Sequence, residues 1–451
     1  MKANYDIVVI GFGKAGKTLA AKFSKAGKSV ALVEKDKNMY GGTCINVGCI
    51  PSKRLITDAS KTPSGEFEKK AQYYKETVAE KKKLIAALNK ANYDKIAAAG
   101  VDIIDGTASF KDDHHIIVTT EDGNVEIEAE KFIINTGSVT IIPKIEGANS
   151  KGVYTSESMM NLDELPKGLT IVGGGYIGLE FASMYADFGS KVTVVQDGDV
   201  FLPREDEDIA KAIRDVLEAK NVEIVTGAKV TKVDEGKLYY EVAGESKALD
   251  SDAILFAVGR RPNTDGLGCE NAKVKLTERG AVETDEHLKT SANNIWAAGD
   301  VCGKLQFTYI SLDDSRIIWD EIMGEDKRTT QNRGAFSYSV FINPPFSRVG
   351  MSEKEAKTAG IEYKVLSLSA NAIPKAKVLR KTDGLLKALV TADGTILGAQ
   401  LFCEESYEMI NFIKLAMDHN IKAKDIANFI FTHPTICLLY TSPSPRDGLL
   451  S

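Results

Sequence analysis

Two cysteines stand five positions apart in GGTCINVGCIPSK (residues 41–53), at Cys44 and Cys49. Zinc corners space their ligands two to four residues apart and need two further ligands. Here the interval is longer, and no second cysteine pair or nearby histidine completes a site. A structural disulfide would be reduced in the cytosol. Redox chemistry is therefore the leading reading, against a simpler one of two buried, inert cysteines. In a regular helix, residues five apart are separated by about 7.5 Å of rise and roughly 140° around the axis. A disulfide needs Cα atoms within about 7 Å, so a bridge here demands distorted backbone, and Gly48 and Pro51 bracket Cys49. An accessible, strained pair beside a helix start and Lys53 would favour a thiolate and be readily reducible.

Two glycine loops could hold dinucleotides. An apolar run ending at Ile10 leads into GFGKAG, with Gly11, Gly13 and Gly16, and a second run ends at Glu34. The run Leu169 to Val172 leads into GGGYIG, with Gly173, Gly175 and Gly178, and its partner run ends at Gln196. In both copies the second run ends 23 residues after the first glycine. Each has the shape of a βαβ unit in which glycines let the backbone approach a pyrophosphate at a helix N-terminus. One such loop is a weak signal; two at matched spacing are a strong one. Glu34 stands where a carboxylate would accept hydrogen bonds from a ribose diol. The second unit ends at Gln196-Asp197 with no arginine to clamp a 2′-phosphate, which leans towards NADH. Tyr176 could cover a cofactor face or pack against its own helix.

The elements that must position these groups are those of an α/β protein. Residues 66–99 read as a long helix, whose lysine run 81–83 is expected on a solvated face. Residues 101–135 alternate as strands, with DDHH and EDGN as turns, so His114 and His115 are read as turn residues and not as a copper site. From about Ser337 a third region mixes strands with the helical stretch 404–420. At 451 residues the chain suggests about three domains. A net charge of −6 and the absence of like-charge blocks give nucleic acid no hold. No apolar run reaches membrane-spanning length and the N-terminus does not read as a signal peptide, so a cytoplasmic protein is expected.

GFGKAG with Glu34, GGTCINVGCIPSK, INTGS (134–138), GGGYIGLE, AVGRRPN (257–263), AAGDV and THP (432–434) occur in an order that resembles the flavoprotein pyridine-nucleotide disulfide oxidoreductases. The resemblance spans about residues 4–437. GFGKAGKTLA, MYGGTCIN, FLPREDEDIA (201–210), LQFTYISLDD (305–314) and IFTHP (430–434) look most like the copper(II)-reducing branch tied to bacterial reactive-chlorine resistance. The resemblance implies two Rossmann-like domains binding FAD and NAD(P) plus a C-terminal α+β dimerisation domain. The implied boundaries are 1–145 and 266–334 for FAD, 146–265 for NAD(P), and 335–437 for dimerisation.

The resemblance also implies roles. NAD(P)H would reduce FAD, and FAD the Cys44–Cys49 disulfide, with Cys49 near the flavin and Cys44 facing substrate. Lys53 and Glu180 would pair beside the flavin. Gly42, Thr43, Ala108, Thr136, Gly137, Asp300 and Thr308 would contact FAD; Glu180, Val230 and Gly259 would join the second loop around NAD(P). His433 would be the acid–base residue reaching the partner subunit's thiols, implying a homodimer. Cys269, Cys302, Cys403 and Cys437 form no close pair and read as structural. No resident metal is expected. The expected acceptor is copper(II), with lipoamide or glutathione disulfide as the alternative. FTHPT lacks the extra histidine of the HAHPT pattern, which counts against lipoamide. The family's glutamate five positions after the histidine is replaced by Leu438, and residues 438–451 read as a foreign tail. That leaves open a flavin-binding protein with little disulfide turnover.

Overall fold

The apolar run Asn4–Ile10 is buried along almost its whole length, as a central strand covered on both faces must be. In the computed structural model, which describes residues 3–324 and 327–437, it pairs in parallel with Val30–Glu34 and Gly123–Ile134. Asp102–Asp105 extends one edge; His115–Thr120 and Thr107–Phe110 extend the other. The distant strand Ile295–Ala297 then pairs in parallel with Gly123–Ile134, so residues beyond 290 return to the first sheet. A second parallel sheet runs Val222–Val225, Lys191–Val195, Gly168–Val172, Ala253–Phe256, Val153–Thr155. A hairpin sheet, Ala228–Asp234 to Glu245–Asp250, is attached to it. The third sheet is antiparallel, ordered Ser337–Val340, Phe346–Gly350, Ile396–Phe402, Leu385–Val390, Lys364–Ser369. The helix Ser406–Asp418 buries Met409, Ile410, Ile413 and Ala416 in that domain's core. The fold is therefore α/β, with two Rossmann-like units followed by an α+β domain.

One core joins these layers. Leu55, Tyr74 and Val78 pack with Leu179, Tyr185 and Phe188 of the second unit, and the same cluster reaches Val340, Phe346 and Phe402 of the third. Each such buried side chain contributes about 1.5–3 kcal/mol, so this shared core holds the units together.

The long helix is Phe67–Ala97. Its lysine run is not all solvated, contrary to the expectation. Lys82 and Lys83 lie on the surface, but Lys81 is 2% exposed and donates to Asn161 Oδ1 at 2.6 Å. The helix is covered on one side by residues 159–165, and Lys81 falls on that side; burial lowers its pKa to about 8. His115 begins a strand and its Nδ1 meets Asp112 Oδ1 at 2.8 Å, while the His114 amide donates to the same oxygen. No described helix is long and apolar enough to cross a membrane.

Candidate active site

Cys44 and Cys49 do not share a helix. Cys44 lies in the short helix Thr43–Asn46, and Cys49 opens a second one, Cys49–Ala59. The break falls at Val47-Gly48, where Gly48 takes φ −130°, ψ −113° and a Cβ would stand 2.9 Å from Thr43 O. This is the backbone distortion that the spacing requires. The two thiols lie within hydrogen-bond reach of each other. Cys49 is exposed, and Thr308 Oγ1 lies 3.6 Å from its sulfur. The Cys44 hydrogen bond, then Thr308 and the Lys53 charge, outweigh burial and bring the Cys49 pKa down to about 6. Donating that bond and being buried push Cys44 well up. Their proximity thus favours the charged form of Cys49 and the neutral form of Cys44.

One turn after Cys49, Lys53 Nζ meets Glu180 Oε2 at 2.6 Å and lies 4.7 Å from the centre of the Phe341 ring. The Phe341 amide donates to the other Glu180 oxygen at 2.9 Å. This pair ties the thiol helix, the second glycine-loop helix and the third domain together.

The first glycine loop fits a pyrophosphate. Gly11 has φ +104°, and a Cβ there would stand 2.3 Å from Asn135 O. The helix Lys14–Lys25 starts at Gly13 with no cap from that residue; Ser311 and Asn135 take the Ala15 and Gly16 amides, which leaves the Gly13 and Lys14 amides to an anion. Glu34 Oε2 accepts from the Phe12 amide at 2.9 Å, and its Oε1 accepts from Lys35 at 2.9 Å. The carboxylate is therefore oriented at the strand tip, and burial raises its pKa. Gly42 has φ +77°, and a Cβ would stand 2.7 Å from Gly13 Cα, so the thiol segment rests on this loop. Thr43 opens the Cys44 helix, and the Gly137 Cβ position is 4.0 Å from Thr43 Oγ1. Thr136 donates to Asn263 O at 2.7 Å. Asp300 accepts from Ser138 Oγ at 2.7 Å, with burial raising its pKa. Ala108 is buried in its strand. The glycine loop, Glu34, the Thr43 segment and the Asp300 turn thus meet around one cradle that fits FAD.

The second loop differs in detail. The helix Tyr176–Phe188 starts at Gly175, also without a side-chain cap, and a Cβ on Gly175 would meet nothing within 4 Å. Gly173 and Gly178 are packed tightly, with Cβ positions 2.5 Å from Ala257 O and 2.0 Å from Gly173 O. Gln196 Nε2 donates to Gly198 O at 2.8 Å and Val200 O at 3.1 Å, so its amide closes its own turn. Tyr176 donates to the buried Glu205 and lies 5.4 Å from the Tyr338 ring. Val230 is half-buried in the hairpin sheet, and Gly259, at φ +121°, accepts from the Ile141 amide. The uncapped helix end and open Gly175 fit a dinucleotide.

His433 is exposed on the third domain, and no hydrogen bond or ion pair among the described residues joins it to Cys44 or Cys49. Its expected partner position, 438, and the tail lie outside the described residues.

The profile of the pyridine nucleotide-disulphide oxidoreductases matches residues 5–315, and that of their dimerisation domain matches 336–438. The chain belongs to this family. Among pyridine nucleotide-disulphide oxidoreductases it is 46% identical to the probable oxidoreductase RclA of Escherichia coli strain K12, over 96% of this chain and 97% of that one. It is 33% identical to a dihydrolipoyl dehydrogenase of Geobacillus stearothermophilus, over 96% and 93%. A solved Cu(II) complex of the HOCl-induced flavoprotein disulfide reductase RclA from Escherichia coli superposes with a TM-score of 0.92 at 45% identity, covering 98% of each chain. As a pyridine nucleotide-disulphide oxidoreductase the protein is a flavoprotein enzyme whose cofactors are FAD and NAD(P)H.

Several residues of the site escaped the sequence reading. Asn135 accepts from the Gly16 amide at 2.9 Å and donates to Ala298 O at 2.7 Å, joining the first glycine loop to the Asp300 turn. It lies inside INTGS, so the motif marked it without revealing its task. Lys17 donates to Gly41 O at 3.2 Å and Asn92 Oδ1 at 2.6 Å, and burial lowers its pKa to about 8. It follows the last glycine of the loop, on the helix Lys14–Lys25, where nothing local set it apart from Lys14 or Lys22.

Proposed function

We propose that the enzyme takes a hydride from NAD(P)H, passes two electrons to the Cys44–Cys49 pair, and delivers them to copper(II). FAD, when bound, accepts the hydride and reduces the disulfide. The chain's own residues do the rest. Lys53 and Glu180 place a fixed charge pair beside the thiol helix. Thr308 and Lys53 stabilise the Cys49 thiolate, and Cys44 is the thiol that meets the acceptor. Electrons balance when one NADH reduces two copper(II) ions to copper(I), yielding NAD⁺ and one proton. Soft thiolates favour copper(I), which draws the reduction forward.

The observation carrying this reading is the geometry of the thiol pair, with Thr308 Oγ1 3.6 Å from the Cys49 sulfur and the Lys53–Glu180 bridge one turn along the same helix. The Cu(II) complex of a protein 45% identical to this one supports the choice of acceptor. Residues 1–145 and 266–334 are assigned to FAD, 146–265 to NAD(P), and 335–437 to a homodimer in which His433 serves the partner's thiols. The match to a dimerisation profile supports the last assignment.

The test follows NADH oxidation by the FAD-loaded enzyme with copper(II), lipoamide and glutathione disulfide in parallel, each against Cys44→Ser. Cysteine-dependent turnover with copper alone supports the proposal. Turnover with a disulfide instead moves the enzyme to the branch of its 33%-identical dihydrolipoyl dehydrogenase relatives and removes the copper assignment.

A further inference from the structure

The helix Thr308–Met323 carries three polar groups three residues apart, which places them along one face. Each meets a different part of the flavin cradle. Thr308 lies against Cys49. Ser311 Oγ accepts from the Ala15 amide at 3.2 Å, at the start of the first glycine-loop helix. Asp314 Oδ2 accepts from the Gly299 amide at 2.7 Å, immediately before Asp300. Gly299 has φ +77°, and a Cβ there would stand 3.0 Å from Ser311 Oγ and 3.2 Å from Asn135 Nδ2. The turn carrying Asp300 is therefore pressed against this helix and held by one carboxylate.

That carboxylate is buried, so its charge needs a partner. The partner comes from the segment leading into the third domain. Arg333 bonds Asp314 Oδ1, and its Nε lies 3.0 Å from Asp313 Oδ2 without the alignment of a hydrogen bond. Arg328, on the same segment, meets Asp313 at 2.5 Å. Two adjacent aspartates thus take two arginines from the connector, and the inner aspartate also holds the Asp300 turn.

We propose that Asp314 and Arg333 are positioning residues for the flavin, linking retention of FAD to the seating of the segment that leads into the C-terminal domain. The proposal rests on the assignment of the Gly299-Asp300 turn to FAD. Arg333 keeps Asp314 charged, and the charged carboxylate keeps the Gly299 amide and the following aspartate in place. Displacing the connector would leave a buried carboxylate without its counter-charge and loosen the turn.

The experiment dilutes the holoenzyme serially and follows free-flavin fluorescence to obtain the FAD dissociation constant. ADP-ribose binding to the second glycine loop is measured on the same samples. Asp314→Asn and Arg333→Gln should each weaken FAD roughly tenfold, the size of one charge-assisted hydrogen bond. The double variant should be no weaker than Asp314→Asn alone, because the two act through one link. Arg333→Lys, which keeps the charge but can reach only one of the two aspartates at a time, should weaken FAD clearly less than Arg333→Gln, and ADP-ribose binding should hold in all of them. Should Asp314→Asn fail to fold, the contrast between Arg333→Gln and Arg333→Lys decides the matter. Parent-like FAD affinity in both Asp314→Asn and Arg333→Gln overturns the proposal. So does an additive double variant, Arg333→Lys as weak as Arg333→Gln, or parallel loss of ADP-ribose binding. Asp300→Ala separates the two layers. If it weakens FAD while the other variants do not, only the link fails; if it too is parent-like, the flavin assignment of the turn fails with it.

Discussion

The two glycine loops share spacing and handedness but are braced in opposite ways. The first is gripped by residues distant in sequence: Asn135 bonds Gly16, Ser311 bonds Ala15, and Gly42 packs on Gly13. At the second the glycines themselves are packed within their own unit, Gly173 on Ala257, with Gln196 closing a turn two to four residues on and Gly175 facing open space, while distant residues reach only the helix beyond, as at Tyr176 and Glu180. A site assembled from three parts of the chain suits a ligand that stays; one left open at its second glycine suits a ligand that exchanges. The difference suits the proposed assignment of flavin to the first loop and nicotinamide to the second, and lies outside what the shared motif encodes.

The comparison can be broken at several points. Cys44→Ser should abolish turnover with an acceptor while leaving flavin bleaching by NADH intact, because the hydride step comes before the thiol step. Stopped-flow absorbance reads both steps. The same substitution at matched glycines comes next. Gly13→Ala would bring a Cβ to 2.5 Å from Asn135 Oδ1 and should cost about 1–3 kcal/mol, with FAD weakened. Gly175→Ala, at φ −78° with nothing within 4 Å, should leave melting within about 0.5 kcal/mol of the parent and raise only the KM for NADH.

Smaller effects sharpen the contrast. Asn135→Ala removes two buried hydrogen bonds and should destabilise the chain by about 2–4 kcal/mol, against about 1–2 for Gln196→Ala, as measured by urea unfolding. The Cys49 thiolate should persist down to a pH of about 6, since its pKa is lowered, and should be lost as pH falls through that value. Cys44→Ala removes the largest cause of that lowering, so the midpoint should rise. Iodoacetamide alkylation of the reduced enzyme followed against pH reads it directly.

Much of this was legible from local signals. Apolar strand runs into glycines, matched intervals and Pro-Ser-Lys after Cys49 belong to short stretches, and the cysteine spacing with Gly48 and Pro51 pointed to distorted backbone if the two were to pair. The lysine run misled for a physical reason. Lys81 is charged like Lys82 and Lys83, but which side of a helix is covered depends on residues 159–165, which no local pattern connects to it. Glu205 was likewise a motif residue without a task until Tyr176 and Tyr338 converged on its carboxylate.

By itself, the sequence determined where backbone could turn, where a dinucleotide could lie, and that two thiols could meet only across a break. Tertiary structure alone decided what faces them. Thr308 reaches Cys49 across 259 residues, Glu180 reaches Lys53 across 127, and Asn135 reaches Gly16 across 119. Turns and periodicities are encoded by neighbouring residues because backbone sterics act over a few bonds. Charge pairing and hydrogen bonding at a site act over a few ångströms in space, and those ångströms exist only once the layers have packed.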